Sequence, residues 1–296
     1  KINSVLSDGS ILHEKDIQFY LWISDYYQVT LGEVFFSAFP TTLFNKPKKP
    51  KKEKSEPVIA TLEEKDFLTL TAEQSSALKI LSDSISASKN RSFLLHGVTG
   101  SGKTEVYIRA AKEALKQNRS AAIMVPEIAL TPQLRSRFEE HFGNEVAVLH
   151  SSLGEGKRRN YWNDILAGKK KIVVGARSAI FAPLKDIGLI VVDEEHESSY
   201  KQEGHLRYHA RDLALVRGKL HGATVVLGSA TPSIESYYGA LHGKHELIQL
   251  TKRPAERPLP VVEIVDLKEA PKKSAIFSEN LILKLQEIIK TNGDFP

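Results

Sequence analysis

The sequence predicts an α/β protein built on a parallel sheet with helices on both faces. Three observations carry that prediction. First, His96-Gly97-Val98-Thr99-Gly100-Ser101-Gly102-Lys103-Thr104 lies between a short apolar run at 92–95 and a segment with helical spacing at 105–112. Strand, G-x-x-x-x-G-K-[ST] and helix, in that order, is the context that makes a phosphate-binding loop credible. Second, from Leu68 onward short apolar runs alternate with helical segments, as parallel strands joined by crossover helices do. Third, the run Leu189-Ile190-Val191-Val192 ends in Asp193-Glu194-Glu195-His196. A strand that apolar is buried on both faces, so the acids stand at the end of core structure rather than on a solvated patch.

The elements follow in order. Thr71-Ala72-Glu73-Gln74 opens a helix running through Ala77, Ile80 and Leu81, with Thr71 and Gln74 spaced as a capping box. After the glycine-rich loop come a strand over 121–125, a helix over 132–142, a strand over 146–150 and a helix over 157–166. Strands over 171–174 and 189–193, a helix over 210–220, and strands over 224–228 and 247–250 complete the alternation. Ligands of such sheets bind at the carboxyl ends of the strands, where every polar motif here falls. Residues 277–290 read as an amphipathic helix with Leu281, Leu285, Ile288 and Ile289 on one side.

Four regions are expected. Residues 1–44 form a small segment with an aromatic-rich helix over 17–27 and a short apolar element over 32–40. Its rings could stack on bases, but packing into a core is the weightier reading. Residues 45–67 form a linker, with Lys46, Lys48, Lys49, Lys51, Lys52 and Lys54 set among prolines; it is too polar to fold alone. The nucleotide-binding lobe spans 68–262, and a connector helix lies in 263–296.

Composition sets the bounds. The chain has 296 residues, 41% hydrophobic and 26% charged, values of a soluble globular protein with a sizeable core. No apolar run nears the ~20 residues a membrane-spanning helix needs, and the amino terminus lacks a signal-peptide pattern, so a cytoplasmic setting is expected. The chain begins at Lys1 without an initiator methionine, which points to a piece of a longer protein. With no cysteine present, disulfides and thiolate zinc sites are excluded within it. The net charge of +5 is a mild bias toward polyanions.

The motifs point to nucleoside triphosphate chemistry. Glycines let backbone N–H groups approach a polyphosphate, and the helix beginning near Lys103 aims its positive end at the same anion. Lys103 reaches the β/γ-phosphates, while Thr104 and Asp193 are the candidate Mg²⁺ ligands. Glu194 is the candidate for orienting or deprotonating the attacking water. Gly228-Ser229-Ala230-Thr231-Pro232 ends another apolar run, and its hydroxyls could hydrogen-bond the acids and so sense nucleotide state.

The order of G-x-x-x-x-G-K-T, Asp-Glu-Glu-His and Ser-Ala-Thr resembles the first motor lobe of superfamily 2 helicases, a RecA-like P-loop lobe. Gly97–Tyr107, 125–133 (Val-Pro-Glu-Ile-Ala-Leu-Thr-Pro-Gln), 175–179 (Gly-Ala-Arg-Ser-Ala) and 193–202 (Asp-Glu-Glu-His-Glu-Ser-Ser-Tyr-Lys-Gln) more closely resemble the bacterial replication-restart helicase family. The resemblance is dense from about Leu70 to Tyr238. More faintly, Trp22–Pro40 resembles the segment that follows that family's 3′-end-binding region.

The resemblance implies that Gln74 reads adenine and that Gly97, Val98, Thr99, Gly100, Ser101, Gly102, Lys103 and Thr104 hold the phosphates. It implies that the loops carrying Thr131, Arg177 and Ser178 track single-stranded DNA, Arg177 through a phosphate fork. Thr131-Pro132 could instead merely start a helix. The polar loop 200–209 is similar to the aromatic-rich loop of this family and of RecQ-type helicases. There Tyr200, Tyr208 and His205 would stack on bases, Lys201 and Arg207 would meet phosphates, and the loop would couple DNA binding to the acids.

The implied whole enzyme is an ATP-dependent 3′→5′ DNA helicase of replication restart. It would act on single-stranded and forked DNA with primosome and single-strand-binding proteins. Departures from the family pattern are plain. Residues 45–68 stand where the family has a winged-helix domain. A zinc site is expected only in a second lobe this chain lacks, as is the arginine that stabilises the transferring phosphoryl group, so this piece should turn over ATP slowly. Two rivals stand beside that reading. One is an ATP-binding, DNA- or partner-binding module without motor activity, separable by measuring DNA-stimulated ATP hydrolysis. The other is a small-molecule kinase, which would show no stimulation by single-stranded DNA.

Overall fold

Local sequence explains where the helices begin. In the computed structural model, which describes residues 12–40, 69–150, 153–204, 206–254, 262–268 and 276–291, Thr30 caps α2 (Leu31–Ala38), and Thr71 caps α3 (Ala72–Ala87) in a capping box closed by Gln74. The aromatic stretch before them forms α1 (Glu14–Tyr26). Then come β1 (Arg91–Gly97), α4 (Lys103–Lys116), β2 (Ser120–Met124), α5 (Pro132–Phe142), β3 (Val146–Leu149), α6 (Glu155–Leu166) and β4 (Ile172–Gly175). The series continues with β5 (Ile187–Asp193), α7 (Ala210–His221), β6 (Thr224–Ser229), α8 (Ile234–Leu241), β7 (Glu246–Leu250) and α9 (Glu279–Thr291).

Among the described residues seven strands form one sheet in the order β3-β4-β2-β5-β6-β1-β7. Every pairing is parallel. The register sets Leu189 against Thr224 and Arg91 against Thr224, so β6 lies between the strand ending in the acids and the strand ending in the glycine-rich loop. Side-chain alternation divides the core between two faces. On one face Phe93, Leu95, Ile123, Val174 and Val191 meet α3, α4 and α5. On the other Leu94, Met124, Val173, Val192 and Leu227 meet α7, the turn at 177–184 and the amino-terminal helices.

The aromatics of the first segment belong to that second core. Phe19, Tyr20 and Ile23 are fully buried, and the Tyr20 ring stacks on Phe181 at 6.5 Å. A buried ion pair fastens α1 to α7: Arg217 Nη2 lies 3.2 Å from Asp16 Oδ1. The same guanidinium donates to the carbonyls of Ile180 and Ala182 and lies over the Phe19 ring. Trp22 and Tyr26, by contrast, stack on each other at 4.6 Å, with Tyr26 exposed.

His221 lies beside this pair, its Nε2 3.8 Å from Asp16. Burial, then the positive charge of Arg217, pushes the imidazole down to about 3. Between pH 6.5 and 3 the unfolded chain therefore holds a proton that the folded chain refuses, and stability falls as pH falls through that window. Melting curves from pH 7 to 4 should show that loss, and His221→Gln should reduce it, the remainder coming from His141, His150, His209 and His245, which burial also pushes down. An unchanged pH dependence in the variant would assign the loss elsewhere.

Residues 1–255 and 256–296 form two units. In the second, Glu263 accepts a hydrogen bond from Asn280 and pairs with Lys284 on α9. The lysine- and proline-rich stretch 45–67 lies outside the described residues. Among the described residues no helix is long and apolar enough to cross a membrane.

Sequence reading missed α8. Eight residues with a glycine and two tyrosines make a weak helix by propensity. Ser233 caps it locally, accepting from the Ser236 N–H at 3.3 Å, and buried Glu195 reinforces that start by accepting from the Ser233 N–H and the Ser236 hydroxyl, each at 2.7 Å.

Candidate nucleotide site and the strand-tip surface

The glycine-rich loop and the acids meet at one rim. Lys103, at the first turn of α4, sends Nζ to 3.1 Å from the Gly97 carbonyl and 3.4 Å from Glu194 Oε1. Gly100 and Gly102 hold φ of +80° and +82°, a backbone region that disfavours side chains. At Gly102 a Cβ would also collide with Gln74 Nε2. Gln74 is buried: its Oε1 accepts from the Thr71 N–H at 2.9 Å, and its Nε2 donates to the Ser101 carbonyl at 2.8 Å. Its amide thus ties α3 to the loop. Ser101 Oγ is buried with no hydrogen-bond partner among the described residues. An orphaned hydroxyl beneath a cradle of positive-φ glycines fits a phosphate oxygen. Val98, Thr99 and Gly100 are exposed at the loop's crest, and Thr104 is half-buried at its base.

Asp193 ends β5 and Glu194 follows it in the left-handed region at φ 46°, a conformation that costs a non-glycine residue energy and recurs at functional sites. The Tyr107 hydroxyl donates to Asp193 Oδ1 at 3.0 Å. Burial, then the adjacent Glu194 charge, pushes the Asp193 carboxyl up to about 6. Two crowded carboxylates beside a phosphate cradle form a donor set suited to a hard divalent cation.

The Ser-Ala-Thr turn touches both neighbours. Ser229 Oγ lies 2.8 Å from His196 Nδ1 and 3.5 Å from Glu194 Oε2, and the Thr231 N–H donates to Ser229 Oγ at 2.9 Å. Gly228 is required for a steric reason: a Cβ there would overlap the Tyr107 hydroxyl. Gly228→Ala should displace that hydroxyl from Asp193 and cost about 1–3 kcal/mol of stability, read as a lowered urea midpoint. A wild-type midpoint would mean that Tyr107 moves aside freely.

Glu195, to which sequence reading gave no role, is fully buried. Burial pushes its carboxyl up, but the Ser233 N–H, the Ser236 hydroxyl and Arg211 outweigh that and hold it below the usual carboxylate range. Glu105 behaves alike: Arg109 and Arg137, at 2.8 and 2.7 Å, overcome its burial. Arg137 thereby links α5 to the phosphate-loop helix.

The residues expected to face DNA divide. Ser178, Lys201 and Arg207 are exposed, and Arg177 is half-buried with Nη1 donating to the carbonyls of Ser199 and Lys201, each at 3.1 Å. Thr131 is exposed and caps α5 by accepting from the Leu134 N–H, with Pro132 in the first turn. The two tyrosines are corrected. Tyr200 is 1% exposed, and its hydroxyl donates to the Asp193 carbonyl at 2.6 Å. Tyr208 is 5% exposed and packs edge-on against Phe181 at 5.1 Å. Neither is a free stacking platform, because each ring is worth more in the core than in water. His205 lies outside the described residues.

The family model described as DEAD/DEAH box helicase matches residues 71–238, the stretch holding the loop, the acids and the Ser-Ala-Thr turn. The chain belongs to that family. A model described as a 3′ DNA-binding domain matches residues 1–40. The replication restart protein PriA of Bacillus subtilis (strain 168) is 46% identical over 224 residues, 75% of this chain and 28% of that protein. PriA of Rickettsia felis is 40% identical over 274 residues, 92% of this chain and 40% of that protein. The resemblance to replication-restart helicases read from the motifs therefore holds along most of the chain, which spans well under half the length of these relatives. Among solved structures, RecG bound to a three-way DNA junction aligns with TM-score 0.49 at 21% identity, covering 82% of this chain and 30% of that one.

Proposed function

We propose that this chain is the ATP-binding first lobe, with an adjoining DNA-binding segment, of a cytoplasmic 3′→5′ DNA helicase of replication restart. The observation carrying the proposal is the 3.4 Å approach of Lys103 to Glu194 across one rim of a parallel sheet, with the Arg177 and Lys201 turns on the adjoining strand tips. Gly97 to Thr104 hold the triphosphate, and Gln74 secures the loop and reads the adenine. Thr104 and Asp193 would hold Mg²⁺, whose charge neutralises the phosphate oxygens. Glu194 orients the attacking water, and Ser229 and His196 hold Glu194. Thr131, Arg177, Ser178, Lys201 and Arg207 meet the phosphates of single-stranded or forked DNA. Residues 1–44 end the DNA-binding region, 45–67 tether it, 68–262 are the motor lobe, and 263–296 lead toward a second lobe. The whole protein assembles with primosome and single-strand-binding proteins.

The test is MgATP binding and hydrolysis by this chain, with and without a single-stranded oligonucleotide. Binding with DNA-dependent turnover supports a motor lobe; tight binding of both ligands with no mutual effect supports the module reading. Arg207→Ala should weaken DNA binding about equally across sequences and lower the salt-dependence slope by about 1. An unchanged slope would remove Arg207 from the DNA path.

A further inference from the structure

A cavity of about 480 Å³ opens at the carboxyl tips of β2, β3 and β4, within the ~300–1,000 Å³ range of sites that enclose small ligands. Its walls come from the amino-terminal segment and from the lobe, where the loop 199–208 with buried Tyr200 and Tyr208 forms one side. The carboxyl end of α2 contributes Phe36 and Phe39; α6 contributes Arg158 and Trp162; the 177 turn contributes Arg177. Phe36 is 68% exposed, an apolar ring held in solvent beside the opening. Phe39 and Trp162 lie 5.6 Å apart at 56°. Trp162 is 3% exposed, and its indole N–H has no hydrogen-bond partner among the described residues, a cost that structures rarely leave standing without a ligand or water.

The charge around the cavity is one-sided. Arg158 and Arg177 line it against the acid Glu127, while burial and then Arg135 push the His150 imidazole beside them toward its neutral form. Arg158 Nη2 donates to the His150 carbonyl at 3.2 Å, and Arg135 Nη1 lies 3.1 Å from His150 Nε2. Flat apolar rings beside guanidinium groups are what an unpaired nucleotide needs, stacking for the base and a fork for the phosphate. The α2 wall also lies within the stretch matched by the 3′ DNA-binding domain model.

We propose that this cavity seats one unpaired nucleotide of a single strand, with its base against the exposed Phe36 and half-buried Phe39 rings, above buried Trp162, and its phosphate on Arg158 and Arg177. The inference rests on the DNA-binding reading above and adds to it a seat built jointly by the amino-terminal segment and the lobe.

The chain has two tryptophans, so Trp22→Phe leaves Trp162 as the sole tryptophan, excited apart from the tyrosines at the red edge of absorption. In that background an oligothymidylate should quench the emission saturably. An abasic strand of equal length should still raise the anisotropy of a labelled complex, but without the quenching. Arg158→Ala and Phe36→Ala should each raise the half-saturating concentration about tenfold. Phe36 is exposed, so its variant keeps the fold, which circular dichroism checks. Strands that bind by anisotropy yet leave Trp162 unquenched overturn the inference while the DNA-binding reading stands. No binding by any strand overturns both. A Trp162 response to a short acidic peptide but not to the oligonucleotide makes the cavity a protein seat and overturns the inference alone.

Discussion

Arg217→Ala is expected to destabilise the folded chain by about 3–5 kcal/mol, the cost of removing one partner of a buried ion pair. Arg217 and Asp16 are nearly sealed from solvent, and the guanidinium also satisfies the carbonyls of Ile180 and Ala182. Its loss leaves a buried carboxylate and two carbonyls without their donor. Asp16→Asn should cost less, because Arg217 keeps both carbonyls and the face of Phe19. Urea unfolding of the two variants checks the order. Equal midpoints for Arg217→Ala and the native chain would show that α1 is not held by this pair. Since Ile180 and Ala182 lie in the same turn as Arg177 and Ser178, partial loosening should first appear as faster amide exchange in that turn.

Lys103→Ala is expected to weaken MgATP binding by about 2–5 kcal/mol, as truncating one side of a desolvated charge contact does, which is roughly 30-fold or more in affinity. The ammonium contacts Gly97 and Glu194 and lies over the loop that would receive the phosphates. Glu194→Gln should behave differently. It should keep nucleotide affinity within a few fold and, in the whole protein, slow hydrolysis by about 10²–10³, the scale of removing one preorganised charge-handling group. Calorimetry and a phosphate-release assay separate the two. If Lys103→Ala bound MgATP as the native chain does, the loop would not be the phosphate seat.

The sheet and the juxtaposition of loop and acids were legible because they depend on local signals. The Gly97–Thr104 spacing, the apolar run 189–192 and the capping box at Thr71 each act over a few residues. The rest depended on contacts distant in sequence. No spacing announces that Tyr200 turns inward to donate to Asp193, since tyrosine suits a surface stack and a buried hydrogen bond equally. Glu195 looked interchangeable with Glu194, yet one faces Lys103 and the other caps α8. Alternation along the chain separates them only once the backbone bend at Glu194 is known. The aromatics of α1 and α2 likewise carried no mark of which surface they would cover.

The place of β6 constrains any cycle of nucleotide capture and release. It is hydrogen-bonded along one edge to the strand bearing the phosphate loop and along the other to the strand bearing the acids. The gap between Lys103 and Glu194 therefore cannot widen by sliding one strand alone without breaking a ladder at the centre of the sheet. Opening and closing fall to the short turns beyond the strand ends, and Ser229, fixed to the stationary strand, is the post against which their travel is gauged.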